Sequence, residues 1–271
     1  MWSTERPARL AAVGDNCVDV INPGGRRLIG GNALNVAVQF ARLGGRSAYF
    51  GAVGADEDGA RVRRLLVENG VGVEHLVRRP LATAHTGIDI DSSGERRIAS
   101  EDFGACAGYA PRDADLHALL EADHVHIGWF DDRGALRRRL AAAGRSVSQD
   151  ISVNAAPENL CVEGLSIVFV SASGRHTAAI RLARSLFSQG AGGVVVTRGA
   201  GGSSIFLEGI EADIPALPIR PVDTTGAGDS YIAAFLRSWL AGEGPERAGH
   251  AATAHASHAC LHEGGFPQDG G

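Results

Sequence analysis

Val222-Asp223-Thr224-Thr225-Gly226-Ala227-Gly228-Asp229-Ser230-Tyr231-Ile232-Ala233-Ala234-Phe235-Leu236 is the stretch on which the reading of this chain turns. It is a turn of small residues carrying two carboxylates, followed at once by an apolar, helix-prone run. Gly226 and Gly228 let the backbone take conformations closed to other residues and let a ligand approach the main chain. The run behind them predicts a helix, and the first N–H groups of a helix have no intrahelical acceptor. Bare amides at a helix start bind anions. Asp229 sits among those amides, where a carboxylate would repel a bound anion. A phosphate arriving at the amides while Asp229 takes a proton from its acceptor would account for both features. The turn also reads as an ordinary capped helix, because Asp is a favoured cap. Taken alone, both readings stand.

Upstream, the pattern is one of alternating strands and helices. Helical stretches at 112–121, 132–143 and 174–189 lie among strands at 123–128, 146–150, 165–170 and 193–197. Such alternation predicts βαβ units and a mostly parallel sheet covered on both faces. A strand at Arg9 to Gly14, a helix from Asn32 to Leu43, a strand at Ser47 to Val53 and a helix from Asp56 to Asn69 begin the chain. Two hairpins stand apart from this rhythm. One pairs Val18 to Ile21 with Arg27 to Ile29. The other pairs Thr86 to Asp91 with Glu95 to Ala99 through Ser92-Ser93-Gly94, and the two are expected to form a small sheet outside the main fold. A third hairpin turns at Glu208-Gly209, and helices at 227–240 and 245–262 follow. The tail Gly264 to Gly271 is expected to fray at its end. No internal repeat or linker marks a domain boundary.

Bulk composition excludes several functions. A net charge of −5 argues against a nucleic-acid partner, which would need a basic face. The run Arg137 to Arg139 is expected on a solvated helix face. Cys17, Cys106, Cys161 and Cys260 are scattered, so neither a disulfide framework nor a zinc site is expected. With no apolar span of membrane length and no signal peptide, a soluble, cytoplasmic protein is expected. There is no lysine, so all 26 basic residues are arginine. That rules out the usual P-loop, protein-kinase and pyridoxal-phosphate sites. A phosphate site here would use backbone amides, arginine and a metal ion.

Three further clusters carry candidate chemistry. Asp15 and Asp19 follow the first strand, and ligands gather at the carboxyl ends of strands in open α/β sheets. Gly30-Gly31-Asn32-Ala33-Leu34-Asn35 opens a helix with two asparagines on one face, suited to hydroxyls. Asn32 as a cap and Asn35 as a solvent residue is the plainer alternative. Thr197-Arg198-Gly199-Ala200-Gly201-Gly202 ends a buried strand, and its amides, hydroxyl and Arg198 charge suit a nucleotide phosphate or simply a tight turn. Neither glycine cluster satisfies the dinucleotide fingerprint, and no Gly-x-Ser-x-Gly elbow is present. His255, His258 and His262 share one face of the last helix without a matching acid, so a pocket wall is preferred to a metal site. His124 and His126 are expected on opposite faces of their strand, with structural roles.

Together, Gly30 to Ala37 with Ala41-Arg42-Leu43-Gly44, Asp223 to Asp229, and Thr197-Arg198-Gly199 resemble the motifs of the ribokinase-like (PfkB) carbohydrate kinases. The resemblance spans essentially the whole chain. The short length, Gly14 to Asp19 and Gly-Gly-Asn-Ala-Leu-Asn are similar to the fructoselysine 6-kinase branch of that family. It implies a single α/β domain over residues 1–271, a three-layer α/β/α fold with a mostly parallel sheet and a small β-strand lid from segments 16–30 and 83–108. It implies ATP-dependent phosphorylation of a primary hydroxyl on a sugar or sugar-amine conjugate. Asp229 matches the catalytic base, and Gly226, Ala227 and Gly228 the anion hole. Asp19, Gly31 and Asn35 match sugar-binding positions; Thr197, Gly199, Gly202 and Thr225 match the nucleotide side, with adenine near Ala252 to His258. ATP and Mg²⁺ are the implied cofactors, with a monovalent cation at Asp223 and Thr225, and the lid can form a homodimer. The family's Asn-x-x-Glu is replaced by Ser171-Ala172-Ser173-Gly174, so Mg²⁺ is expected to enter with ATP. Glu101, Asp102, Asp131 and Asp132 are candidates to pair the amines of a conjugate. Alternatives are another acceptor (ribose, fructose or a nucleoside) or a relative that senses ligands without turnover.

Overall fold

The computed structural model describes residues 7–90, 96–153 and 156–268, with Arg96 in backbone only. In chain order the strands are β1 (Arg9–Val13), β2 (Cys17–Asn22), β3 (Arg26–Gly30), β4 (Arg46–Gly54), β5 (Leu76–Arg79), β6 (His85–Ile90), β7 (Arg96–Asp102), β8 (His124–Ile127), β9 (Val147–Asp150), β10 (Ile167–Ser171), β11 (Val194–Thr197), β12 (Ser203–Leu207) and β13 (Ile210–Ile214). The helices are α1 (Asn32–Arg42), α2 (Glu57–Glu68), α3 (Asp113–Glu121), α4 (Ala135–Ala142), α5 (His176–Ser188), α6 (Ala227–Leu240) and α7 (Pro245–Ala259).

The main sheet has the order β13-β12-β11-β10-β9-β8-β1-β4-β5 and is parallel except at its β11-β12-β13 end. Strands β1, β10 and β11 carry apolar residues on both sides, as burial between two helical layers demands, whereas β8 and β9 between them bury His124, His126 and Ser148. In β11, Val194 and Val196 pack with α3, α4 and α5, while Val195 between them packs with α1, α6 and α7. A third cluster joins Ala12 and Tyr49 to α1 and α2. The result is the expected three-layer α/β/α arrangement. A separate sheet, β3-β2-β6-β7, joins the first two hairpins through a parallel β2–β6 pair and forms the lid. The turn Ser92 to Gly94 lies outside the described residues. Among the described residues no helix is long and apolar enough to cross a membrane.

Several expectations need correction. β5 was missed, being a four-residue edge strand with two arginines and only a weak apolar signal. α4 starts at Ala135 because the Asp132 carboxylate takes the N–H groups of Gly134 and Leu136. Arg137 is not on a solvated face; it is buried, and its guanidinium donates to the Glu163 carbonyl. His124 and His126 lie two residues apart, so they share a face, and both bond the Ser148 hydroxyl, at 2.7 and 2.9 Å. α7 ends at Ala259, which leaves His262 beyond the helix.

The tail is docked as far as Gln268. Phe266 is fully buried among Ile29, Leu34 and Val38 of the third cluster, and the Gln268 side chain bonds both backbone groups of Ile29, at 2.7 and 2.8 Å. Asp269 to Gly271 lie outside the described residues. Replacing a fully packed Phe by Ala costs about 3–5 kcal/mol. We therefore expect Phe266→Ala to lose about that much in urea unfolding; a change below about 0.5 kcal/mol, the range of an ordinary surface position, would mean the tail does not dock.

Candidate active site

The starts of α1 and α6 meet at the carboxyl end of the sheet. Asp229, in the first turn of α6, accepts the Asn32 side-chain amide on one oxygen at 2.6 Å and that of Asn35 on the other at 2.7 Å. The two asparagines reach it together because positions three apart share one helix face. Neither takes the plainer role. Asn35 is buried, and the α1 cap position is Gly31. The Asp15 carboxylate receives the Asn32 and Ala33 N–H groups at 2.8 and 3.1 Å, and also the Trp129 N–H at 3.2 Å. Gly31 has φ 109°, and a Cβ there would fall 2.5 Å from Asn16 Cα. Only glycine fits where this helix starts.

Asn32 also donates to Asp150, at 3.1 Å, so one side chain links two carboxylates. Burial raises the pKa values of Asp15 and Asp150 above the usual carboxylate range. Asp229 is pushed up to about 8, chiefly by burial. The Asn35 amide opposes that shift, the nearby Asp150 and Asp15 charges add to it, and the Asn32 amide opposes it. A carboxyl group with this pKa is a far stronger base than an exposed one. Asp150 was not singled out in the sequence, though a carboxylate at a strand's carboxyl end was a readable signal.

Two cavities meet at Asp229. The larger, of about 710 Å³, holds Thr197, Gly199, Gly202, Ala227 and Gly228, together with Thr253, Ala256 and Ser257 of α7. The smaller, of about 590 Å³, holds Asp19, Gly31, Asn35, Thr225 and Gly226, and it is roofed by lid residues. Asp229 lines both. The nucleotide-side and sugar-side residues expected from sequence thus fall into separate chambers, with one exception. Thr225 faces the smaller cavity, and its neighbour Thr224 lines the larger. Asp223 lines neither; its carboxylate receives the Thr225 and Gly264 N–H groups, both at 2.9 Å. Arg198 turns away from the larger cavity and pairs with Asp213, so the turn from Thr197 to Gly202 offers amides and a hydroxyl without that charge.

Between the chambers, Gly226 has φ 73° and packs so closely on Gly265 that a Cβ would lie 2.4 Å from its Cα. The Ala227 N–H turns back to the Thr224 carbonyl at 3.2 Å. Helix geometry leaves the following first-turn N–H groups without an intrahelical acceptor. Gly228 has nothing within 4 Å of where its side chain would stand, so an anion can come close.

Of the four acidic residues considered for an amine, Glu101 and Asp102 line the smaller cavity. Asp131 instead accepts the Asn159 amide, and Asp132 starts α4. Phe103 and Trp129, unremarked in the sequence, stack at 4.2 Å between ring centroids in the same cavity. His255 faces Gln39 at 3.1 Å, and among the described residues no three or more histidine, cysteine or carboxylate side chains gather as a metal-binding group.

This geometry can be set beside known proteins. Residues 9–146 and 162–267 match the pfkB family carbohydrate kinase model. Fructoselysine 6-kinase of Shigella flexneri is 32% identical over 237 residues, covering 86% of this chain and 90% of that protein. A nucleoside kinase of Methanothermobacter thermautotrophicus is 30% identical over 255 residues, covering 88% and 80%. In fold, Arabidopsis thaliana ribokinase, solved with ribose and ATP, superposes with a TM-score of 0.86 at 22% identity over 96% of this chain and 94% of that one. With a ribokinase fold, a two-chamber site and relatives of this kind, the chain belongs to the pfkB family of carbohydrate kinases and is an ATP-dependent sugar phosphotransferase.

Proposed function

We propose that the chain transfers the γ-phosphoryl group of ATP to a primary hydroxyl of a sugar or sugar-amine conjugate in the cytoplasm, with fructoselysine the first acceptor to test. The observation that carries this reading is the position of Asp229, held by two amides at the junction of the two cavities. ATP would occupy the larger cavity, its adenine against α7 and its phosphates towards the start of α6. The acceptor would occupy the smaller one, its ring hydroxyls near Asp19, Gly31 and Asn35. The Asn32 and Asn35 side-chain oxygens are buried without a partner in the structure, as acceptors for hydroxyls would be.

Phosphoryl transfer requires mainly positioning and stabilisation of charge. Asp229 would take the hydroxyl proton as the oxygen attacks. The first-turn amides of α6 and the helix dipole would stabilise the charge on the group in transit. Lid strands over the acceptor would exclude water. Magnesium typically uses one or two carboxylates, substrate phosphates and retained waters. Asp150, a carboxylate of the larger cavity, fits an ion arriving with the nucleotide. Bound there, it would neutralise phosphate charge. A monovalent cation beside Asp223 would stiffen the Gly226 turn; activity in potassium exceeding that in tetramethylammonium salts would support it, and equal activity would remove it.

Only ionised Asp229 can accept a proton. With its pKa at about 8, turnover is expected to fall as pH drops through that value. Asp229→Asn is expected to reduce turnover on the order of 10²–10⁴-fold while ATP binding by calorimetry stays nearly unchanged. Full turnover in that variant would sink the mechanism.

Glu101 and Asp102 favour a cationic acceptor, and the cavity falls within the roughly 300–1,000 Å³ typical of sites for sizeable ligands. The Phe103–Trp129 stack favours a second reading, a nucleoside whose base rests on an aromatic ring. A coupled ADP-release assay over fructose, fructoselysine, ribose and nucleosides separates them. Fructoselysine should have the highest kcat/KM; equal values for it and fructose would eliminate the amine pocket. Dimerisation through the lid is also part of the proposal, motivated by Ile98, 65% exposed on β7, and is checked by sedimentation.

A further inference from the structure

We infer that Gly265, in the segment after the last helix, is a positioning residue that presses Asn35 against Asp229 and seats the Gly226 turn. This makes the C-terminal tail part of the phosphoryl-transfer machinery. The inference rests on the kinase reading above.

Gly226, Gly265 and Asn35 form a stack with no room for a methyl group. A Cβ on Gly226 would lie 2.4 Å from Gly265 Cα, and a Cβ on Gly265 would lie 2.4 Å from Asn35 Cγ, Nδ2 and Oδ1 alike. The tail cannot retreat, because it is tied on every side. Gly264 N–H donates to Asp223 at 2.9 Å, and the Gly265 carbonyl accepts from Gln39 at 2.6 Å. Phe266 is buried in the core, Glu263 pairs with Arg26 of the lid, and Gln268 binds Ile29. A methyl group at position 265 would therefore be accommodated by moving what can move, the end of the Asn35 side chain. That end carries the amide bonded to Asp229 at 2.7 Å. Displacing it leaves the backbone in place and removes a contact that holds Asp229.

Gly265→Ala tests this. A hydrogen bond to a charged group is worth roughly a 10- to 100-fold change in an equilibrium, and kcat should fall by about that factor with the KM for ATP unchanged. The charged and polar groups facing Asp229 are Asp15 and Asp150 from strand ends, which raise its pKa, and Asn32 and Asn35 from α1, which lower it. Loss of the Asn35 contact should move the acid limb of the pH profile upward. In an Asn35→Ala background, Gly265→Ala should then cost less than about twofold, because the two changes remove the same contact. Full multiplication of the two effects, or an unchanged kcat, would overturn the inference. Should Gly265→Ala fail to fold, Gln268→Ala loosens the same tail without adding bulk. It should lower kcat with the same lack of additivity, and no change would count against the proposal. Carbon NMR titration of the Asp229 carboxyl reads the effect without turnover. A wild-type chain inert toward every acceptor would therefore remove the kinase reading alone, and an unmoved titration in Gly265→Ala would remove this one.

Discussion

Two short hydrogen bonds, from Asn32 and Asn35 to Asp229, join the start of one helix to the start of another across 197 and 194 residues of chain. Each contact of an amide with a buried carboxylate is worth about 1.5–3 kcal/mol. Their larger consequence is geometric. Asp229 cannot swing toward either cavity without losing a partner, so it stays at the boundary between the two. The same amides temper a pKa that burial and two neighbouring carboxylates push upward. The site thereby keeps a strong base that can still ionise near neutral pH.

That junction depends on backbone freedom at a few positions. Gly31 lets α1 start against the β1–β2 connection, which delivers Asn32 and Asn35 to the site. Gly226 lets α6 start against the tail, which delivers Asp229 and leaves amides open to an anion. Asp15 and Asp223 do the quieter work of receiving backbone N–H groups at these two starts. Carboxylates that look alike in sequence thus divide into one held where the cavities meet and others that hold loops.

The two cavities draw on different parts of the molecule. The lid contributes Asp19, Glu101, Asp102 and Phe103 to the smaller cavity, whereas the larger one is built from the main sheet, α6 and α7. Relatives of this chain are described as fructoselysine and nucleoside kinases.

The alternation of strands and helices, the lid hairpins and the glycine motifs were legible in the chain itself, because hydrophobic periodicity and glycine placement are local properties. So was Asp229 as a candidate base, and the structure places it where the two cavities meet. Side-chain direction and long-range contact were not legible. Nothing in the sequence showed that Arg137 would be buried, that Arg198 would turn to Asp213, or that Thr225 would face the smaller cavity. Nor did it show that Asp150 would share Asn32 with Asp229, or that a glycine-rich tail would dock as far as Gln268. Those outcomes depend on which residues the sheet order and helix packing bring together from distant parts of the chain. Local pattern therefore determined the elements and the chemistry they carry, and tertiary packing decided which groups meet at Asp229 and what state that carboxylate holds.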